Sequence, residues 1–198
     1  MDIQKSKKVS GQTRLFTYAF FHAGARASLA SAESSEDGQA YNLINALVLS
    51  SFLVEAYFNH LGELNGYAEW NRKNNRTSVW DKYKLLRAKV GLDVLSIDEA
   101  YPDAASAIQF RNEMAHGRTE THMFTLDLPV SIGGENSRQI AVGWQTALTI
   151  SNARKCFDTC KTLICELHSR AGLGEHPFRK MASSQLWVGV STEEADPN

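Results

Sequence analysis

The fold is decided by the stretch QAYNLINALVLSSFLVEAYFNHLGEL, residues Gln39–Leu64. Its apolar side chains recur almost all the way round a helix, and a helix of this kind belongs in the middle of a bundle. One carboxylate, Glu55, interrupts the apolar run, and Asn59 follows one turn later on the same face. We therefore predict a long central helix that carries a polar group at one point on its surface.

Four further segments are expected to pack as helices around this central helix. Residues 12–33, 80–90 and 147–171 carry helical patterns, and the last of them has the most regular apolar stripe, at intervals of three and four. Another helix is expected to start near Pro102, because the first turn tolerates proline, and to end at His116. Gly117 then occupies the position where a helix often ends with a left-handed glycine.

The segment before the last helix is expected to form a β-hairpin. Residues 122–131 and 138–145 read as strands on either side of a glycine-containing loop, with Pro129 restricting the first to an edge. The predicted fold class is therefore all-α, an up-and-down bundle of four to five helices with a small β-hairpin inserted at about residues 121–145. A flexible arm, residues 1–11, precedes this single domain of residues 12–172, and a tail, residues 173–198, follows it. Residues 185–190 of the tail resemble a short strand.

The composition places the chain among globular proteins, with 43% hydrophobic and 22% charged residues. The most apolar run, residues 46–58, is interrupted by two serines and Glu55, so we expect no membrane-spanning segment. The polar, basic N-terminal residues are not followed by the hydrophobic region of a secretory signal. These features predict a cytoplasmic protein without a membrane partner.

Cys156, Cys160 and Cys165 all lie in the last predicted helix, an arrangement that argues against a disulfide framework and for a reducing compartment. Cys156 and Cys160 are one turn apart and would together be able to face a metal ion, but packing as small core residues is the favoured interpretation. The histidines lack a metal-ligand spacing, and the sequence contains no phosphate-binding loop, dinucleotide fingerprint or nucleophile elbow. We expect no cofactor and no metal.

The segment RNEMAHG, residues 111–117, carries the residues best suited to chemistry. Arg111 offers a permanent positive charge and a fork of donors that suits phosphate, and His116 can accept or donate a proton near neutral pH. A phosphate-binding cation beside a proton shuttle is the minimum for cleaving RNA without a metal. However, at about 100° per residue the two side chains lie about 140° apart around the helix. Asn112 is better aligned with His116.

A structural interpretation of the same residues stays open. A histidine before a glycine at a helix end can cap carbonyl groups, and an arginine can pair with a carboxylate inside the bundle. On chemistry alone this interpretation is preferred over a catalytic one.

A resemblance to a known family changes that balance. RNEMAHG resembles the R-x4–6-H signature of HEPN domains, including the polar residue that commonly follows the arginine. Upstream, FLVEAYFN, residues 52–59, is similar to the EAY-x-N helix of several HEPN subgroups. The resemblance covers residues 41–117, and the closing helix fits the same bundle.

The resemblance implies an all-α domain that commonly forms a homodimer through the motif helices. Many HEPN proteins are metal-independent endoribonucleases in toxin–antitoxin systems or phage defence, so RNA and an antitoxin protein are the expected partners. By the same resemblance, Arg111 would contact the scissile phosphate, His116 would transfer protons and Asn112 would support it. Glu55 and Asn59 would face them from the neighbouring helix. Other HEPN domains are non-catalytic and bind a nucleotide, an RNA or a protein, which is the alternative function.

A basic stretch is the second candidate for contact with RNA. Residues 72–89 contain seven basic residues and one acidic residue, a net charge of +6. Such a stretch is equally well explained as a solvated face. The residues assigned to RNA binding are Arg72, Lys73, Arg76, Lys82 and Arg87.

Overall fold

A computed structural model describes residues 15–70, 77–119, 121–123, 141–174 and 176–178. These residues form six α-helices and two short 3-10 helices. The α-helices are α1 (Thr17–Ser34), α2 (Gln39–Leu64), α3 (Val79–Lys89), α4 (Ile97–Ala100), α5 (Pro102–Ala115) and α6 (Ile150–Arg170), and the 3-10 helices are Ala68–Trp70 and Gly143–Ala147. The predicted all-α class is confirmed.

Helix α2 is the centre of the domain, as its sequence predicts. Helices α1, α3, α5 and α6 all pack against it. Its core side chains Leu53, Tyr57, Phe58 and Leu61 are fully buried. Because each neighbour covers a different side of α2, its apolar residues are needed around most of the helix.

Side-chain caps set where several helices begin. Ser78 accepts a hydrogen bond of 3.2 Å from the backbone N–H of Asp81 at the start of α3. Thr149 does the same for the N–H of Asn152 at the start of α6, at 3.1 Å. These bonds satisfy backbone donors that the first turn of a helix leaves without a partner.

Two predicted helix ends need correction. Helix α1 begins at Thr17 rather than at residue 12, although residues 12–14 are outside the described part of the chain. Gly117 does not take the left-handed conformation. His116, the C-cap residue of α5, has a φ of −113°, and Gly117 has no positive φ. Gly91, which follows the end of α3, does adopt a left-handed φ of 72°.

The predicted β-hairpin is not supported. The described residues contain no strand; residues 121–123 are irregular, and residues 124–140 lie outside the described part. The second expected strand is wrong at its end, where Gly143–Ala147 forms a 3-10 helix. Gly143 has a φ of 53°, which is incompatible with an extended strand, and its carbonyl accepts a hydrogen bond of 2.8 Å from the Thr146 hydroxyl.

The chain folds back onto α1 after α6 ends. The Tyr18 hydroxyl donates a 3.3 Å hydrogen bond to the Pro177 carbonyl, and the Phe178 ring stacks on His22 at 4.2 Å between centroids. Burial, together with two nearby cations, lowers the pKa of His22 to about 4. The first part of the predicted tail therefore packs against the domain. The N-terminal arm and residues 185–190 lie outside the described residues.

Helix α2 also bears on the expectation that no segment spans a membrane. By length and composition alone it is long and apolar enough to cross one, which the interruptions at Ser50, Ser51 and Glu55 did not suggest. Half of its most apolar window is buried inside the domain. The cytoplasmic location stays a prediction.

The close approach of α2 to Trp70 leads to a stability prediction. A Cβ atom at Gly62 would lie 2.1 Å from Cδ2 of Trp70, so Gly62→Ala must displace this buried ring. We expect the free energy of unfolding to fall by about 1–3 kcal/mol, measured by urea denaturation. Gly24→Ala in α1 is the matched control, because its Cβ would meet only the end of the Leu49 side chain, at 3.0 Å. Equal stability of the two variants would contradict the prediction.

Candidate functional site

The motif helix α5 directs its polar residues to two different sides. Arg111 turns inward and contacts α2, whereas Asn112 and His116 line an open groove on the outside of the helix. Arg111 is not among the residues that line this groove. The separation follows from the helical angle between positions 111 and 116.

The Arg111 side chain makes three contacts with α2. Its Nη2 atom donates a 3.0 Å hydrogen bond to Oε2 of Glu55, and its Nε atom donates a weaker one, at 3.4 Å, to the Ser51 hydroxyl. The guanidinium carbon lies 5.3 Å from the centre of the Phe52 ring, within the range of a cation–π contact. The arginine is therefore held in one position before any ligand arrives.

Glu55 binds a second cation that the sequence did not connect to it. Nζ of Lys82, from α3, lies 3.2 Å from Oε1 of Glu55, so the carboxylate bridges Lys82 and Arg111. The side-chain exposures are 7% for Lys82, 21% for Arg111 and 30% for Glu55. Two cations around one carboxylate leave a net charge of +1, which suits an anionic ligand. We call these three residues the Glu55 cluster.

The groove beside α5 has a volume of about 800 Å³. It lies between the outer face of α5, the residues that follow it and the 3-10 helix Gly143–Ala147. The lining residues are Ser106, Gln109, Phe110, Asn112, Glu113, His116, Gly117, Arg118, Gly143, Trp144, Thr146 and Ala147. His116 is exposed, so its imidazole is accessible to a ligand in this groove.

Asn59 lies apart from both groups. It lines a smaller hollow of about 370 Å³ between the start of α1 and the second half of α2, together with Phe16, Tyr18 and His60. Although Asn59 follows Glu55 by one turn, the structure does not bring it to Arg111 or His116.

Two of the four basic residues of the basic stretch that the structure describes serve as internal support, whereas Lys84 and Lys89 are exposed. Lys82 and Arg87 are buried, at 6% exposure each. Arg87 donates hydrogen bonds to the Asp93 carbonyl at 2.6 Å and to the Tyr83 hydroxyl at 2.9 Å, and its Nη1 lies 3.4 Å from Glu166. Counting charges along the sequence does not distinguish buried ion pairs from surface ones. Arg72, Lys73 and Arg76 lie outside the described residues.

The cysteines pack as the favoured interpretation predicted. Cys156 and Cys160 are fully buried. Burial, with a smaller effect from the Asp103 charge, raises the pKa of the Cys156 thiol to about 12, and burial raises that of Cys160 well above its ordinary value. In the part of the chain that the structure describes, no group of three or more histidine, cysteine or acidic side chains is placed to hold a metal ion.

The chain was compared with known families, curated proteins and solved structures. No family model, no curated protein and no solved structure matches it. The resemblance to HEPN domains therefore stays an expectation from the sequence motifs of α2 and α5.

The Glu55 cluster leads to a prediction about stability. Glu55→Ala would leave the buried ammonium of Lys82 and the guanidinium of Arg111 without their carboxylate, and we expect a loss of about 1–3 kcal/mol in the free energy of unfolding. Lys82→Met keeps the apolar stem and leaves the Arg111–Glu55 pair intact, so its loss should be smaller. Urea denaturation of both variants provides the measurement, and a larger loss for Lys82→Met would contradict this order.

The buried thiols lead to a prediction about reactivity. With a pKa of about 12, roughly one Cys156 side chain in ten thousand is a thiolate at pH 8. We expect a disulfide-exchange reagent to modify native Cys156 and Cys160 only after unfolding, with Cys165, which is partly exposed, reacting first. Peptide mapping of modified protein tests this order. Rapid labelling of native Cys160 would contradict it.

Proposed function

We propose that this chain is a metal-independent endoribonuclease of the HEPN type that cleaves RNA by attack of the 2′-hydroxyl. The observation that carries the proposal is the arrangement on α5, where His116 opens onto a large groove with Asn112 beside it, while Arg111 is held by Glu55 of α2. Proton transfer and phosphate binding are the two functions that this reaction needs from a protein.

In the proposed reaction, His116 accepts the proton of the 2′-hydroxyl or donates one to the 5′-oxygen, and solvent water makes the other of these two proton transfers. The 2′-oxygen bonds to phosphorus as the bond from phosphorus to the 5′-oxygen breaks, which leaves a 2′,3′-cyclic phosphate and a 5′-hydroxyl end. To balance the charge that develops on the phosphoryl oxygens, the guanidinium of Arg111 must exchange its contact with Glu55 for one with the phosphate. Asn112, one turn before His116, orients the imidazole or the substrate.

A homodimer completes the proposal. A second copy that meets this chain through α5 would bring a second set of the groove residues Asn112, His116 and Arg118 to a shared cleft. The resemblance to HEPN proteins favours a role in a toxin–antitoxin pair or in phage defence. An antitoxin protein is then the expected partner besides RNA.

The proposal predicts RNA cleavage in the presence of EDTA. His116→Ala should reduce the rate by about 100- to 10,000-fold, the usual contribution of a general acid or base. The measurement is the release of cyclic-phosphate fragments from end-labelled RNA transcripts, read on a denaturing gel. Circular dichroism should show an unchanged helical content, because His116 is exposed.

A matched control separates the motif from other histidines. His176 is also exposed but follows the C-terminal end of α6, whereas the groove adjoins the start of that helix. His176→Ala should cleave at the rate of the unaltered protein. Cleavage that persists in His116→Ala would exclude His116 as the proton-transfer residue.

The second candidate function is a non-catalytic HEPN module that binds a nucleotide, an RNA or a partner protein. It is favoured by the engagement of Arg111 with Glu55, Ser51 and Phe52, which holds the guanidinium away from the groove. A stoichiometric complex without any cleavage of RNA, unaffected by His116→Ala, would support this candidate over the enzyme.

A further inference from the structure

One large side chain in the groove has no part in the proposed proton and phosphate chemistry. Trp144 lies on the 3-10 helix Gly143–Ala147, lines the same groove as His116 and is half-buried. An aromatic ring that faces an open groove presents a surface for flat, apolar groups. The bases of a nucleic acid are such groups, and stacking on aromatic side chains is how many proteins hold single strands.

The ring of Trp144 is held firmly enough to act as a platform. It lies 6.4 Å from the Phe110 ring at an interplanar angle of 75°, and Phe110 is itself buried in the core at 4% exposure. The short helix that carries Trp144 is closed by a hydrogen bond from the Thr146 hydroxyl to the Gly143 carbonyl. Because α5 supplies both Phe110 and His116, the position of the ring is tied to that of the imidazole.

The polar groups around the ring suit the edge of a base. Gln109 and Asn112 line the groove and each carry an amide donor and an amide acceptor, and the Gln109 amide nitrogen also donates a 3.3 Å hydrogen bond to Glu113. Arg118, just beyond His116, adds a cation that suits a neighbouring phosphate, while Glu113 is the one carboxylate among the described residues of the lining. A flat aromatic wall, two amides and a cation next to the imidazole match one nucleotide and its phosphate.

We propose that Trp144 stacks on an unpaired base next to the phosphate on which His116 acts, so that the groove selects single-stranded RNA. This inference rests on the proposed ribonuclease function for the identity of its ligand. A base within a duplex is covered by its neighbours on both faces and cannot lie on the ring. Trp144 is thus a specificity-determining residue, and it takes no part in proton transfer.

The test measures binding without cleavage. The probe is a 12-nucleotide single-stranded RNA of mixed sequence with a 2′-O-methyl group at every position, which lacks the attacking hydroxyl. Trp144→Leu should raise the Kd by about 5- to 150-fold, the range expected for the loss of one stacked base. Trp144→Phe keeps a ring and should bind nearly as well as the unaltered protein.

Two controls complete the experiment. Tyr41, a highly exposed aromatic residue of α2 that is not part of the groove lining, should tolerate Tyr41→Leu without a change in Kd. The same oligonucleotide annealed to its complement should bind weakly to every variant. Thermal unfolding of Trp144→Leu and Trp144→Phe checks that both are folded before their binding is compared.

The outcomes separate this inference from the proposed function. Unchanged binding by folded Trp144→Leu, or equal binding of the duplex, would overturn the inference even if the protein cleaves RNA. A fall in oligomer mass of Trp144→Leu in analytical ultracentrifugation, with the binding loss, would also overturn it, since the ring would then belong to a contact between subunits. If binding depends on Trp144 but no RNA is cleaved, the ribonuclease proposal fails and the stacking role stands.

Discussion

The bridge that Glu55 makes between Lys82 and Arg111 is the constraint on which the arrangement of the domain depends. A carboxylate on a central, largely apolar helix is costly unless it is paired, and here it is paired on both oxygens, by α3 on one side and α5 on the other. The same ion pairs therefore join three helices. They also fix the face that α5 turns toward α2, and with it the opposite face that carries His116.

The sequence predicted the elements whose patterns are long and regular. The bounds of α2 match the apolar run, and α6 follows its stripe of threes and fours, because burial on a helix imposes a period that short segments do not show. The strand expected at residues 138–145 is wrong from Gly143 onward, because the positive φ of Gly143 and the bonds of its 3-10 helix are set locally.

The sequence predicted the directions in which the side chains of α5 point, but not the residues that contact them from other helices. The helical rotation between Arg111 and His116 indicated that the two side chains face different ways. In the structure Arg111 contacts Glu55 of α2, whereas His116 lines the groove on the outer face of α5. Lys82 was counted as part of a basic surface, since nothing in its sequence neighbourhood shows that α3 packs it against Glu55. Trp144 gave no signal either, because its place beside His116 arises from the return of the chain to the start of α6.

Helix α5 places Arg111 against α2 and His116 in the groove, and this limits the sequence changes that the segment tolerates during evolution. Residues 113–115 can vary in side chain as long as they favour a helix, but the number of residues between Arg111 and His116 cannot change freely. One inserted or deleted residue would rotate everything after it by about 100°, which would carry His116 out of the groove while Arg111 stayed on Glu55. Homologous chains should thus show substitutions but no gaps here, with length variation displaced to the segment between His116 and Gly143.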